Sequence, residues 1–216
     1  MADRRLANFV RRYTTLSSAL ETLKQDKLVL LSPSKWDDSN DTFLMDLYRS
    51  QVEARSVLAM CCTMARETYH HWRVFTDGIE GICIEFKRAP LEDAISGLAS
   101  VRAGPVEYLK VKELRELGPD QTHRLPFIKR DGYAAEIEWR IVAECDEVHE
   151  FKDIAIQKEW INSITFNPWM PPSLVSNLRD IIRTIAPDAN FSLRASSLTN
   201  SKQWKDAGRG LVAKPV

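Results

Sequence analysis

The residues best suited to chemistry lie close together: Glu136 and Glu138, two carboxylates separated by one residue, with Arg140 two further along. Alternate side chains of a β-strand share a face, so the spacing can aim both glutamates into one cleft, one orienting a reacting group or exchanging its proton while the other faces developing positive charge. The same pattern also suits a plainer use, a charged strand face paired with basic neighbours. Together with Asp38 and Asp41 the glutamates form the only acidic pool from which a nuclease-like divalent metal site could be built. Among His70, His71, His123 and His149 there is no paired ligand spacing, and the cysteines show no Cys-x-x-Cys, so no metal is expected.

Several familiar chemistries lack their motifs. The chain has no Gly-x-x-x-x-Gly-Lys-Ser/Thr loop, no Gly-x-Gly-x-x-Gly fingerprint, no Gly-x-Ser-x-Gly elbow and no His-Glu-x-x-His helix. This argues against P-loop hydrolysis, Rossmann redox chemistry, α/β-hydrolase chemistry and zinc proteolysis.

The elements that must position the glutamates follow from local patterning. A capping hydroxyl at Thr15 ahead of Leu16, Ala19, Leu20 and Leu23 predicts a helix, and Lys27 to Leu31 a buried strand. Ser32 to Asp41 is expected to be a loop, with Asp37 and Asp38 as turn formers, before a helix over Phe43 to Ala54. Val57 to Thr63 is a strand candidate, and Tyr69, Trp72 and Phe75 fall near one helical stripe. Asp77-Gly78 turns into Gly81 to Phe86, whose Ile82, Ile84 and Phe86 alternate as on a half-buried strand. Val106 to Tyr108 and Glu138 to Ala143, the latter after the turn signal Asp131-Gly132, are further strands. Ile161 to Phe166, Leu174 to Ile185 and Asn190 to Arg194 form a βαβ-like finish.

With 44% hydrophobic and 28% charged residues over 216 positions, the composition is that of one ordinary globular domain, and the run of elements reads as a single α+β domain over 1–199, with small mixed or antiparallel sheets and flanking helices expected. Residues 200–216 read as a poorly tied-down basic tail. Thirty basic residues balance thirty acidic ones, so no global field drives the chain onto nucleic acid or anionic lipid. The basic leaning of the ends (Arg4, Arg5, Arg11 and Arg12; Lys202, Lys205, Arg209 and Lys214) fits solvated termini. Apolar runs are too short to span a membrane, no secretory signal follows Met1 to Arg5, and Cys61, Cys62, Cys83 and Cys145 lie in apolar stretches as buried thiols. A cytoplasmic location without membrane association is expected.

Arg11-Arg12-Tyr13-Thr14-Thr15, Lys35 to Asp41, Cys62-Thr63-Met64, Trp72, Gly81 to Phe86, Val106-Glu107-Tyr108, Lys129 and Glu136-Ile137-Glu138-Trp139-Arg140 resemble, in order, the motifs of the bacterial family known as domain of unknown function 2971. The chain departs from that pattern at Arg12, Asp37, Ser39 and Thr63. The opening basic-Tyr-Thr segment, a middle strand bearing a hydroxyl and a late Glu-x-Glu strand also resemble the order of ADP-ribosyltransferase-like folds, which bind NAD between two small sheets without a glycine fingerprint. That resemblance implies NAD as substrate in a cleft. Glu138 would face the ribose and Glu136 would orient the acceptor. Arg12 would hold the pyrophosphate, Thr63 would position neighbouring groups, and Tyr13 or Trp72, beside Thr14, would stack on nicotinamide. It further implies a protein or nucleic-acid acceptor, or NAD hydrolysis, in a bacterial toxin or phage-defence effector. The alternative is a catalytically silent nucleotide- or protein-binding regulatory module of the same fold.

Overall fold

The computed structural model describes residues 8–76 and 78–211. Arg4, Arg5, Asp77 and Lys214, named above, lie outside the described residues.

The first strand, β1 (Phe9–Thr15), runs into helix α1 (Leu16–Gln25), where the Thr15 side chain accepts the Ser18 backbone N–H. Strand β2 (Lys27–Leu31) and a short 3-10 turn (Pro33–Lys35) lead to α2 (Ser39–Gln51). This helix begins earlier than the apolar periodicity predicts, because Asp38 caps it by accepting the Asn40 N–H. Strand β3 (Ser56–Thr63), helix α3 (Tyr69–Phe75), strand β4 (Gly81–Lys87) and helix α4 (Arg88–Ser96) follow. Next come β5 (Val101–Pro105), β6 (Glu107–Leu109), α5 (Val111–Arg115), β7 (Ile128–Arg130) and a 3-10 turn over Asp131–Glu136. The chain then forms β8 (Glu138–Cys145), β9 (Phe151–Ala155), β10 (Ile161–Phe166), α6 (Pro172–Ile185), β11 (Ser192–Ala195) and α7 (Lys202–Arg209). Helix α7, capped by Ser201, occupies part of the span expected to be a loose tail.

The fold is α+β. Nine strands join in one mixed sheet along the path β11-β10-β4-β1-β3-β2-β9, with β8 on β3 and β5 on β8, while β6 and β7 make a separate parallel pair. The parallel pairing of β10 with β11 across α6 completes the βαβ finish. Strand β3 is the hinge of the layout. Its N-terminal half pairs with β2 through Leu31 and Ala59, its C-terminal end with β1 through Arg11 and Thr63, and its whole length with β8.

Strand alternation sorts the two faces. Met60 and Cys62 of β3, Trp139, Ile141 and Ala143 of β8, and Ile82, Ile84 and Phe86 of β4 enter the main core, under Leu23 of α1, Leu91 and Ile95 of α4, and Leu178 and Ile182 of α6. On the opposite face Met45 and Tyr48 of α2 pack over Val57, Ala59 and Val142, while Trp72 of α3 packs with Tyr13 and Cys83. Between α2 and α3 this face is left open, and the polar residues of β1, β3 and β8 lie there. Ile141, fully buried, tests the main core: Ile141→Ala should cost about 2–5 kcal/mol, read as a lower urea midpoint with an unchanged slope.

Candidate functional site

The open face between α2 and α3 holds a cavity of about 520 Å³, within the range of roughly 300–1,000 Å³ usual for small-molecule sites. Tyr13, Thr63 and Cys61 from the strands border it, with Phe75 and Val74 from α3 and Trp36 and Asp38 from the segment before α2. Lys129, Glu136 and Glu138 close one end.

That end is organised by Arg140, whose side chain is fully buried. Its Nε donates to Glu138 Oε1 at 2.5 Å and its Nη2 to Glu138 Oε2 at 3.1 Å. Nη1 donates to Asp41 Oδ1 at 2.8 Å and to the Pro126 carbonyl at 3.0 Å, and Nη2 also donates to Asp41 Oδ2. All five N–H groups of the guanidinium are thereby used. Lys129 supplies the second cation: its Nζ is 2.7 Å from Glu136 Oε2, 3.3 Å from Glu138 Oε2 and 3.8 Å from Asp41 Oδ2. Three carboxylates against two cations leave the fully ionised cluster one negative charge.

The two glutamates do not reach this cluster by strand alternation. Glu136 ends the 3-10 turn, Ile137 takes a left-handed conformation at φ 45°, and only then does β8 begin at Glu138. A β-branched residue at positive φ is strained. The reversal lets side chains two apart in sequence meet on one ammonium. Thr63 Oγ1 donates to the Glu136 carbonyl at 2.5 Å and accepts from the Ala65 N–H at 2.9 Å, and the Met64 N–H donates to the Ile137 carbonyl at 2.8 Å. Thr63 thus anchors the strained turn.

The environments pull the two carboxyls apart. Burial raises the Glu136 carboxyl above the ordinary glutamate range, and Lys129 only partly offsets it. Burial also opposes ionisation of Glu138, but the charge and hydrogen bonds of Arg140, helped by Lys129, outweigh it and hold that carboxyl low. Asp41 is raised by burial despite Arg140. The Cys61 thiol is pushed well up by burial and by Glu138.

Of the residues the sequence singled out, Tyr13, Thr63, Glu136 and Glu138 border the cavity. Arg12 and Thr14 do not: Tyr13 on the cavity side of β1 commits its neighbours to the core side, where Arg12 pairs with Ile84 and Thr14 with Ile82. Arg11 takes the cavity position instead, ion-paired to Glu85 at 2.5 Å and donating to the Ala65 carbonyl at 2.8 Å. Trp72 lies a layer behind: it is buried, does not border the cavity, packs perpendicular to the Tyr13 ring at 4.9 Å and donates from Nε1 to Glu67 at 2.7 Å. The aromatic ring on the α2 side is Trp36, which lies over the Arg140 guanidinium at 4.9 Å. His71, also absent from the sequence reading of the site, stacks on Tyr13 at 5.4 Å and 14° and on Phe75 at 5.8 Å and 25°. Burial lowers its pKa, consistent with a neutral ring between them. Side-chain cations occupy the centre of the acidic pool, and among the described residues no group of His, Cys, Asp and Glu is arranged to hold a metal ion.

No family model and no curated protein sequence matches the chain. It is similar to solved structures of DarT from Thermus sp. 2.9. The complex with ADP-ribosylated ssDNA has a TM-score of 0.47 at 8% identity, covering 88% of this chain and 94% of that one. The complexes with NAD+ and with carba-NAD+ each have a TM-score of 0.44, at 9% and 11% identity, covering 88% of this chain and 95% of theirs. With so distant a likeness, the chemistry of the cavity rests on this chain's own side chains. No helix among the described residues is long and apolar enough to cross a membrane.

Two outcomes follow from the cluster. Arg140→Met strands Glu138 and Asp41 without their main partner and should lower stability by about 3–5 kcal/mol in urea denaturation. Because the Glu138 carboxyl is depressed in the folded chain, its contribution is present above the unfolded glutamate value of about 4.3 and is lost as pH falls through the lower folded value. Urea midpoints measured downward from about pH 5 should therefore fall more steeply for wild type than for Glu138→Gln.

Proposed function

We propose that this chain is an NAD-consuming, ADP-ribosyltransferase-like enzyme whose reaction takes place at the Glu136–Glu138 end of the cavity. The observation that carries this reading is the pairing, at one end of a cavity bordered by aromatic rings, of two carboxyls that share the Lys129 ammonium at 2.7 and 3.3 Å while Glu138 alone is also held by Arg140, an arrangement that pushes their proton affinities in opposite directions. Breaking the bond between the nicotinamide nitrogen and ribose C1′ sends the electron pair to the departing nicotinamide and leaves positive charge on the ribose. An ionised Glu138, in a cluster with one excess negative charge, stabilises that charge. Glu136 receives the proton of the attacking water or acceptor group as the new bond to C1′ forms. Tyr13 supplies a ring for nicotinamide, and Arg11, the arginine of β1 that borders the cavity, replaces Arg12 as the candidate partner of the pyrophosphate.

One observation favours the rival reading, a silent nucleotide- or protein-binding module: Arg140 holds both oxygens of Glu138, as a purely structural ion pair would. Incubating the purified chain with labelled NAD, with and without cell extract, separates the two. The enzyme reading expects nicotinamide release or label transfer, reduced by about a hundredfold or more in Glu138→Gln, with the labelled species identifying a protein or nucleic-acid acceptor. NAD that binds but is never cleaved would support the silent module. A toxin or defence effector of this kind would also arrest growth when expressed, and Glu138→Gln would relieve the arrest.

A further inference from the structure

The side of the cavity opposite α3 is built by four consecutive residues, Lys35 to Asp38, that join β2 to α2 and all border it. Three of them carry features that their local roles leave unexplained. The Trp36 ring is half-buried, with the Arg140 guanidinium packed on it at 4.9 Å. Arg140 is immobile, having spent all five N–H groups, so Trp36 rests on a fixed cation while its exposed portion borders the cavity. Lys35 is exposed, and its ammonium makes no ion pair among the described residues. Asp38 uses one oxygen, Oδ1, to accept from the Asn40 backbone N–H at 3.0 Å and from Asn40 Nδ2 at 2.8 Å. Its second oxygen, Oδ2, is buried with no hydrogen-bond partner among the described residues. A buried acceptor without a donor is costly.

We infer that Lys35, Trp36 and Asp38 form the recognition strip for a nucleotide, with the Trp36 ring stacking on the base, the Asp38 carboxylate accepting from a ribose hydroxyl and the Lys35 ammonium meeting a phosphate. The three groups are different in kind, and together they match the three parts of one ligand class. A free phosphate would need only Lys35. An apolar ligand would leave the Asp38 carboxylate without a donor from the cavity. The carboxyl of Asp38 is held below the ordinary aspartate range, where burial is outweighed by the hydrogen bonds from Asn40, the charge of Lys129 and the backbone N–H of Asp41, so it stays an acceptor at neutral pH. The inference rests on reading the cavity as a nucleotide site, but it does not require that the nucleotide be cleaved.

The test is calorimetric titration of the full chain with ADP-ribose, AMP and inorganic pyrophosphate. Wild type should bind ADP-ribose. Trp36→Ala should weaken binding by roughly five- to a hundredfold, the range of a lost base stack, and Trp36→Phe should restore most of it. Lys35→Ala, at an exposed position with no partner to lose, should keep the wild-type melting temperature while weakening ADP-ribose and AMP. Asp38→Asn, which retains an oxygen for the cap, should weaken ADP-ribose while sparing pyrophosphate. Wild-type affinity in both Trp36→Ala and Lys35→Ala would overturn the inference, as would binding of pyrophosphate as tight as that of ADP-ribose and indifferent to Trp36. NAD cleavage, assayed beside the titrations, separates the two readings: ADP-ribose bound through Trp36, with no NAD cleavage by wild type, sustains the strip and removes the enzyme reading, whereas NAD cleavage indifferent to Trp36 and Lys35 does the reverse.

Discussion

Arg140 is the interaction on which the site depends. A guanidinium wholly out of water is tolerable only if every N–H is matched and its charge is opposed, and five acceptors from Glu138, Asp41 and the Pro126 carbonyl meet that demand. The consequences spread outward through its partners. Asp41 ties the N-terminal turn of α2 to β8, Pro126 ties down the segment leading into β7, and Trp36 rests on the guanidinium from above. One buried cation thus fixes three pieces of the cavity and leaves its charged end rigid, which suits a site that must hold charges in place rather than recruit them.

The sheet provides the opening. Between Ala59 and Thr63 the edge of β3 away from β8 changes partner from β2 to β1, so α2 covers one part of the face and α3 another, and neither covers the junction. Polar side chains at the junction would be intolerable beneath a helix, yet here they face a cavity. Tyr13, His71 and Phe75 form a stacked wall on the α3 side, and the Lys35–Asp38 strip lies on the α2 side. The strain at Ile137 belongs to the same design: it brings Glu136 back beside Glu138, and Thr63 and Met64 hold the turn in place. Strain supported in this way is characteristic of positions whose side-chain placement matters more than local comfort.

Much of this was legible in the residues. Alternation in Gly81–Phe86 and the apolar run before Thr63 announce the central strands, and Glu138 and Arg140, two apart on β8, do share a face. The βαβ finish is written in Ile161 to Arg194. What escaped has physical causes. Adjacent arginines differ only by strand register, so nothing local distinguishes Arg11 from Arg12, yet one step of register exchanges cavity for core. Nothing in the sequence signals a left-handed isoleucine, so strand alternation alone does not reveal that Glu136 ends a 3-10 turn. Helix α4 carries Pro90 in its first turn, where proline is tolerated but reads as a breaker. In β9 Ile154 alone is buried, too little to show alternation. Pattern alone does not rank Trp36 against Trp72, because a ring within a helical stripe and a ring in a loop differ only in what lies behind them, here Tyr13 and Cys83 for one and the Arg140 guanidinium for the other.

The central claim is that burial and Arg140 divide two neighbouring carboxyls that share Lys129: Arg140 keeps Glu138 ionised, and burial without such a partner makes Glu136 hold its proton more tightly. The most direct measurement is the pH titration of the side-chain carboxyl carbons of Glu136 and Glu138 by NMR, assigned with Glu136→Gln and Glu138→Gln. The structure predicts that Glu138 titrates below the ordinary glutamate range and Glu136 above it. If the two titrate together, or in the reverse order, the division of labour assigned to them is contradicted.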